Sequence, residues 1–191
     1  MKLTSLLLAS VALVATSQLS ATDLPAPKIA VVDVQQILEQ STATQGVKKE
    51  IEKRRAEIQK EMTGYENELR SKDQELAKEQ KTLDEKAFAK KRQDFEKRVT
   101  EVQKKLEILK IQLEQAFETA RQDVYQGFLK SSDKVKSDVG ANILLYKEQV
   151  VLADKAFDVT NQVLTNLNKD LPSVKVKFMS TAEIEKKLKQ Q

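Results

Sequence analysis

The sequence predicts an α+β chain, mostly α, in which a long antiparallel helical hairpin is inserted between an N-terminal strand and a group of C-terminal strands. Three observations carry this. Residues 47–139 contain no proline and only two glycines, Gly64 and Gly127. Apolar residues there recur every seven positions in two blocks, with a break at Asp84–Ala87. Short, β-prone apolar runs flank the helical region on both sides.

The chain opens with Lys2, then an apolar stretch from Leu3 to Val14, then small and polar residues to Ala21. This is a secretory signal layout, with the cut after Ala21 or after Ser17. A buried apolar helix is the competing reading. The stretch is too short for a membrane span, which takes about 20 apolar residues. Residues 22–27 carry Pro25 and Pro27 and read as a short disordered lead.

Lys28-Ile-Ala-Val-Val-Asp-Val34 is β-branched and apolar on both faces, as a fully buried strand is. Asp33 followed by Gln36 has the spacing of a helix N-cap, and it places Ile37 and Leu38 in the core. Ser41–Gly46 is a weak point before the long helix.

In that helix one seven-residue series runs through Ile51, Ile58 and Tyr65, and another through Met62, Leu69, Leu76 and Leu83. Lys, Glu, Gln and Arg fill most of the rest, so the seam is narrow, as in a coiled coil. Asp84 can cap a restarting helix. Beyond it Phe88, Phe95, Val102, Leu109 and Ala116 form one series, and Val99, Leu106, Leu113 and Ala120 the other. Two such helices joined by a short turn bury their seams on each other, with Tyr65 near residue 107. A single continuous helix in a parallel rod is the alternative. Gly64 and Gly127 are either hinges or points of close packing.

Gly140 ends the helical region. Ala141–Tyr146 and Val150–Leu152 read as a β-hairpin turning at Lys147–Gln149. Asp158 can cap a helix that ends before Pro172. Val174, Val176 and Phe178 alternate with Lys175 and Lys177, as in a strand with one wet face. Ser180 and Glu183 form a capping box for a tail helix. The expected divisions are therefore a signal segment 1–21, a discontinuous β-rich body 22–40 and 140–180, an arm 41–139 and a tail 181–191. The structured part of the body is about 55 residues, a size with a marginal core. Strands apolar on both faces then call for a core shared between copies. The candidates are Ile29, Val31, Val32, Ile143, Leu145, Val150 and Leu152.

Composition excludes most chemistry. The chain has no Cys, no His and no Trp, and only four glycines. Disulfides and thiol catalysis are therefore excluded, and the commonest acid–base residue and metal ligand is missing. No phosphate loop, nucleophile elbow or paired metal-ligand motif is present. No enzyme, no cofactor and no catalytic or metal-binding residue is expected. The net charge of +4 falls to +3 without Lys2, with both signs interspersed. That is the pattern of a solvated helix face, and nucleic acid is not expected as a partner.

The order strand, helical hairpin, β-hairpin, capped helix and last strand resembles the Skp (OmpH-type) periplasmic chaperone family. Lys28–Val34 with Gly46 is similar to the family's opening. Ala141–Tyr146, Ala153-Asp154 and Asp158-Val-Thr160 are similar to its close. The resemblance implies a homotrimer with a small β-barrel-like trimerisation body. Three coiled-coil tentacles would enclose a cavity for unfolded outer-membrane proteins. It implies a periplasmic holdase without ATP or catalysis. The segment Met179–Gln191 departs from the pattern. The alternative is a coiled-coil structural or adaptor protein of the bacterial envelope.

Between residues 78 and 98, around the hairpin turn, eight Lys and Arg face five Asp and Glu. The densest run is Lys90-Lys91-Arg92. It reads either as a contact for acidic clients or anionic lipid headgroups, or as a solvated helix surface.

Overall fold

The computed structural model describes residues 24–190, and the expected signal segment lies outside them. The elements in order are β1 (Ile29–Val32), α1 (Val34–Gln40), α2 (Thr42–Glu79), α3 (Glu85–Asp138), β2 (Ile143–Tyr146), α4 (Thr160–Asp170) and α5 (Thr181–Leu188).

The helix boundaries follow local chemistry. Asp33 Oδ1 accepts from the Gln36 amide at 2.9 Å and starts α1. Ser41 ends α1 and caps α2, accepting from the Thr44 amide, so the weak point is one break between two helices. Asp84 accepts from the Ala87 amide at 2.9 Å and starts α3. At the far end Gly140 has φ 68°. The Ala141 amide reaches Lys136 O at 2.9 Å and the Gly140 amide reaches Ser137 O at 3.0 Å. This paired closure needs a left-handed residue, which glycine supplies without a Cβ clash. Ser180 and Glu183 form the expected capping box on α5.

The body is built around β1. On one edge β1 pairs with β2 in parallel, Ile29 with Ile143 through Val32 with Tyr146. On the other edge Val31 bridges to Asp158. One sheet face, with Ala30 and Val32, packs into a core with Ile37, Phe128, Val135, Val159, Val163 and Leu167. The last turns of α3 thus belong to the body. Thr160 fastens α4 to β1, its hydroxyl accepting from the Asp33 amide at 2.9 Å.

Two expected strands differ. No β-hairpin forms at 141–152: Lys147–Gln149 makes a short 3-10 turn. The segment after it stays open, with Val151 95 % and Leu152 91 % exposed. β2 instead returns beside β1, because the long hairpin brings the chain back to its starting point. Residues 172–179 run without regular secondary structure. Their alternation still sorts their faces, for Val174, Val176 and Phe178 pack against the base of the helical hairpin. The partner of this segment is a helix pair rather than a sheet.

α2 and α3 form the antiparallel hairpin. At 1.5 Å per residue, the 38 residues of α2 span about 57 Å. Arg98 grips Glu68 with two hydrogen bonds of 2.7 Å, and Lys91 pairs with Glu79 nearer the turn. The bidentate bond holds the Glu68 carboxyl below the usual carboxylate range. Tyr65 lies between Arg98, 5.6 Å from its ring centroid, and Lys105, at 5.0 Å. Its level on α3 is therefore near Val102 rather than residue 107. The shift arises because α2 stops at Glu79, four residues before Leu83, so the turn sits earlier than expected.

The two arm glycines differ in kind. A Cβ on Gly127 would stand 2.5 Å from Leu171 Cδ2 and 3.1 Å from Leu167 Cδ1, so Gly127 is a point of close packing between α3 and α4. A Cβ on Gly64 would meet nothing within 4 Å. Gly64→Ala is therefore expected to stabilise the chain by about 1 kcal/mol through helix propensity alone. Thermal denaturation followed by circular dichroism reads this as a raised midpoint, and a lowered midpoint would show that the arm uses the glycine.

Candidate functional site: the surfaces of the arm

Burial along the hairpin seam falls from base to tip. Ile51, Val102, Leu109, Ala116, Ala120 and Val124 are buried, whereas Ile58, Tyr65, Leu69, Leu76, Phe88 and Phe95 are only half-buried. A two-helix seam leaves part of each apolar side chain open to water. Near the base a third layer closes it on one side.

That layer is the C-terminal segment. Gln112 Nε2 donates to Met179 O at 2.6 Å. Farther along, Lys104 pairs with Glu185 at 2.7 Å, and Lys187 reaches Gln115 at 3.3 Å. Ile184 is fully buried. Lys104, Ile108, Gln112 and Gln115 share one flank of α3 by helical spacing. Ile108 is off the seam yet buried, on the flank of α3 that these contacts tie to the C-terminal segment.

The opposite flank is uncovered. Ile51, Leu113 and Phe117, rimmed by Lys48, Arg55, Lys110, Glu52 and Glu114, line a groove of about 640 Å³. It continues toward the tip past Ile58, Met62 and Leu106. Seven-residue spacing hides this groove, because it treats seam residues as covering one another. The available signal is Phe117, a large apolar residue off both seam series.

At the tip Lys90, Lys91 and Arg92 are all exposed. Lys91 is paired with Glu79, and Arg92 with Glu96 at 3.0 Å. Two of the three charges are thus partly answered within the chain, and Lys90 has no ion-pair partner among the described residues.

The body presents the remaining candidates. Val32 lies in the chain's own core. Ile29, Val31, Ile143 and Leu145 share the opposite sheet face, with Ile29 41 % and Ile143 38 % exposed. Val31 is buried beside a hollow of about 520 Å³ that Val150, Val151 and Leu152 also line. At its rim Lys147 bonds Asp158 at 3.1 Å and lies 3.7 Å from Asp33. Burial pushes the Asp158 carboxyl up, but hydrogen bonds from Thr160 and Lys147 outweigh it and hold the group below its ordinary value. Among the described residues no cluster of carboxylates suits a metal ion.

Comparison with known proteins agrees with this architecture. The family model described as "Outer membrane protein (OmpH-like)" matches residues 28–167. The segment beneath and including α5 lies beyond that match. No curated protein matches the chain. A solved structure from Caulobacter crescentus CB15, described as an OmpH-like outer membrane chaperone, superposes with a TM-score of 0.77 at 18 % identity. The alignment covers 84 % of this chain and 95 % of that one, and shows a common fold. The chain belongs to the OmpH-like family.

Proposed function

We propose that this chain is an ATP-independent periplasmic holdase that binds unfolded outer-membrane proteins between coiled-coil arms and keeps them from aggregating. The observation that carries the reading is the arm itself: a long projecting hairpin with a half-buried seam and an uncovered apolar flank. Unfolded barrel strands alternate apolar and polar residues. Many shallow apolar contacts hold such chains without chemistry, and the groove beside Ile51 and Phe117 supplies them.

Three copies joined through the body would surround a cavity with three arms. The exposed sheet face at Ile29 and Ile143, with Val151 and Leu152 beside it, is the surface for a β-barrel-like trimerisation body. The deciding experiment mixes the purified protein with a urea-denatured outer-membrane barrel protein and follows light scattering on dilution. Suppression at about one trimer per client supports the reading. Aggregation unchanged at excess chaperone would sink it and leave an adaptor.

The tip adds a steering term. Replacing Lys90, Lys91 and Arg92 by Gln removes about nine charges per trimer, acting over a Debye length of about 8 Å. Because Lys91 and Arg92 already face carboxylates, the expected effect is a modest fall in the association rate with client or anionic lipid vesicles, and a flatter salt dependence. Stopped-flow rates and salt slopes identical to wild type would make the run a solvated surface only.

A further inference from the structure

We propose that the C-terminal segment 173–188 is a built-in occupant of a client-strand site on the arm, displaced when an extended client segment of alternating apolar and polar residues takes its place. The inference rests on the holdase reading above and names the pattern that one flank of the arm recognises.

The segment has the chemistry of such a client. Val174, Val176 and Phe178 point to the hairpin and pack on the cluster of Ala43, Val47, Ile51, Ala116, Ala120 and Val124. Lys175 and Lys177 alternate with them along the chain. An outer-membrane strand has this same period of two. The mode of attachment is equally general. No backbone–backbone hydrogen bond ties residues 172–179 to any element. Among the described residues, the one direct backbone tie is the Gln112 amide on Met179 O. A surface that holds a strand by one apolar face, without a sheet edge, accepts any segment with matching alternation.

The attachment is also suited to exchange. Val174, Val176 and Phe178 are only half-buried, and Ile184 is the one fully buried side chain of α5. The ion pair Lys104–Glu185 is solvated at both partners, so it adds little to the hold. Lifting the segment uncovers the apolar base of the seam on the flank opposite the open groove. A segment docked for about nine-tenths of the time reduces apparent client affinity at this flank about tenfold.

The test uses the full chain in three forms. Lys104→Cys with Glu185→Cys, joined by a short bismaleimide, locks the segment; the chain has no other cysteine. Val176→Asp with Ile184→Asp releases it. The probes are a fluorescein-labelled synthetic peptide of residues 172–191 and the urea-denatured barrel protein. The released form is expected to bind the peptide about tenfold more tightly than wild type, with denatured barrel protein displacing it. The locked form, left with the open groove alone, should bind the peptide at least tenfold more weakly than the released form and need several-fold more chain to suppress aggregation. Equal client holding by locked and wild-type chains, with wild type active, overturns the inference and leaves the holdase reading standing. A wild type that suppresses no aggregation overturns both. If the released variant fails to fold, locked against unlocked double-cysteine chain decides alone, because that pair leaves the core intact.

Discussion

Phe128→Ala is expected to destabilise the body by about 3–5 kcal/mol, the range for emptying a fully buried aromatic site. Phe128 is 1 % exposed and heads the largest fully buried side chains of the chain. It packs among Val32, Ile37, Val135, Val163 and Leu167, with the Tyr125 ring centroid 5.6 Å away. The site has little freedom to collapse. Its neighbour Gly127 lets Leu167 and Leu171 lie directly against α3, so α4 is already as close as backbone contact allows. A small body has only about 5–15 kcal/mol of stability in total, and losing a fifth or more of it is visible. The urea midpoint, followed by circular dichroism, measures the effect. Phe88→Ala, at a half-buried seam position near the tip, is the control and should shift the midpoint far less. Equal shifts for the two variants would show that Phe128 does not hold the body together.

The contrast between those phenylalanines shows what the sequence discloses. Features settled within a few residues are legible: Asp33, Asp84, Gly140 and the Ser180–Glu183 box all mark boundaries by satisfying backbone groups of the adjacent turn. The hairpin is legible because two seven-residue patterns meet at one break. Its level is less so, since Gln80, Lys81 and Leu83 are good helix formers and no local signal marks the end of α2 at Glu79. Partners distant in sequence are the hardest. Ala141–Tyr146 is correctly β-prone, but its partner is β1, more than a hundred residues earlier, and not Val150–Leu152. The alternation at 173–179 sorts its faces correctly and says nothing of whether a sheet or a helix pair receives them. The groove beside Phe117 is hidden for a related reason, because periodicity reports which residues share a face and not how fully a partner covers it.

Ile143→Asp is expected to convert the proposed trimer into monomers while leaving each chain folded. Ile143 sits at the start of β2 beside Ile29, on the sheet face turned away from the chain's own core. At 38 % exposure a carboxylate there keeps much of its hydration in a single chain. In a trimer packed through this face the same group is buried three times over. An uncompensated buried charge costs about 3–5 kcal/mol at each site, which exceeds what a small interface can absorb. Analytical ultracentrifugation should show the mass of one chain, and circular dichroism should show unchanged helix content. Val31→Asp separates assembly from folding. Val31 is buried in the single chain and lies between β2 and the Asp158 bridge, so its substitution should lose helix content and mass together. If Ile143→Asp remains trimeric, the interface lies elsewhere on the body. The next surface to test is then the exposed Val151-Leu152 pair, whose side chains none of the described residues covers.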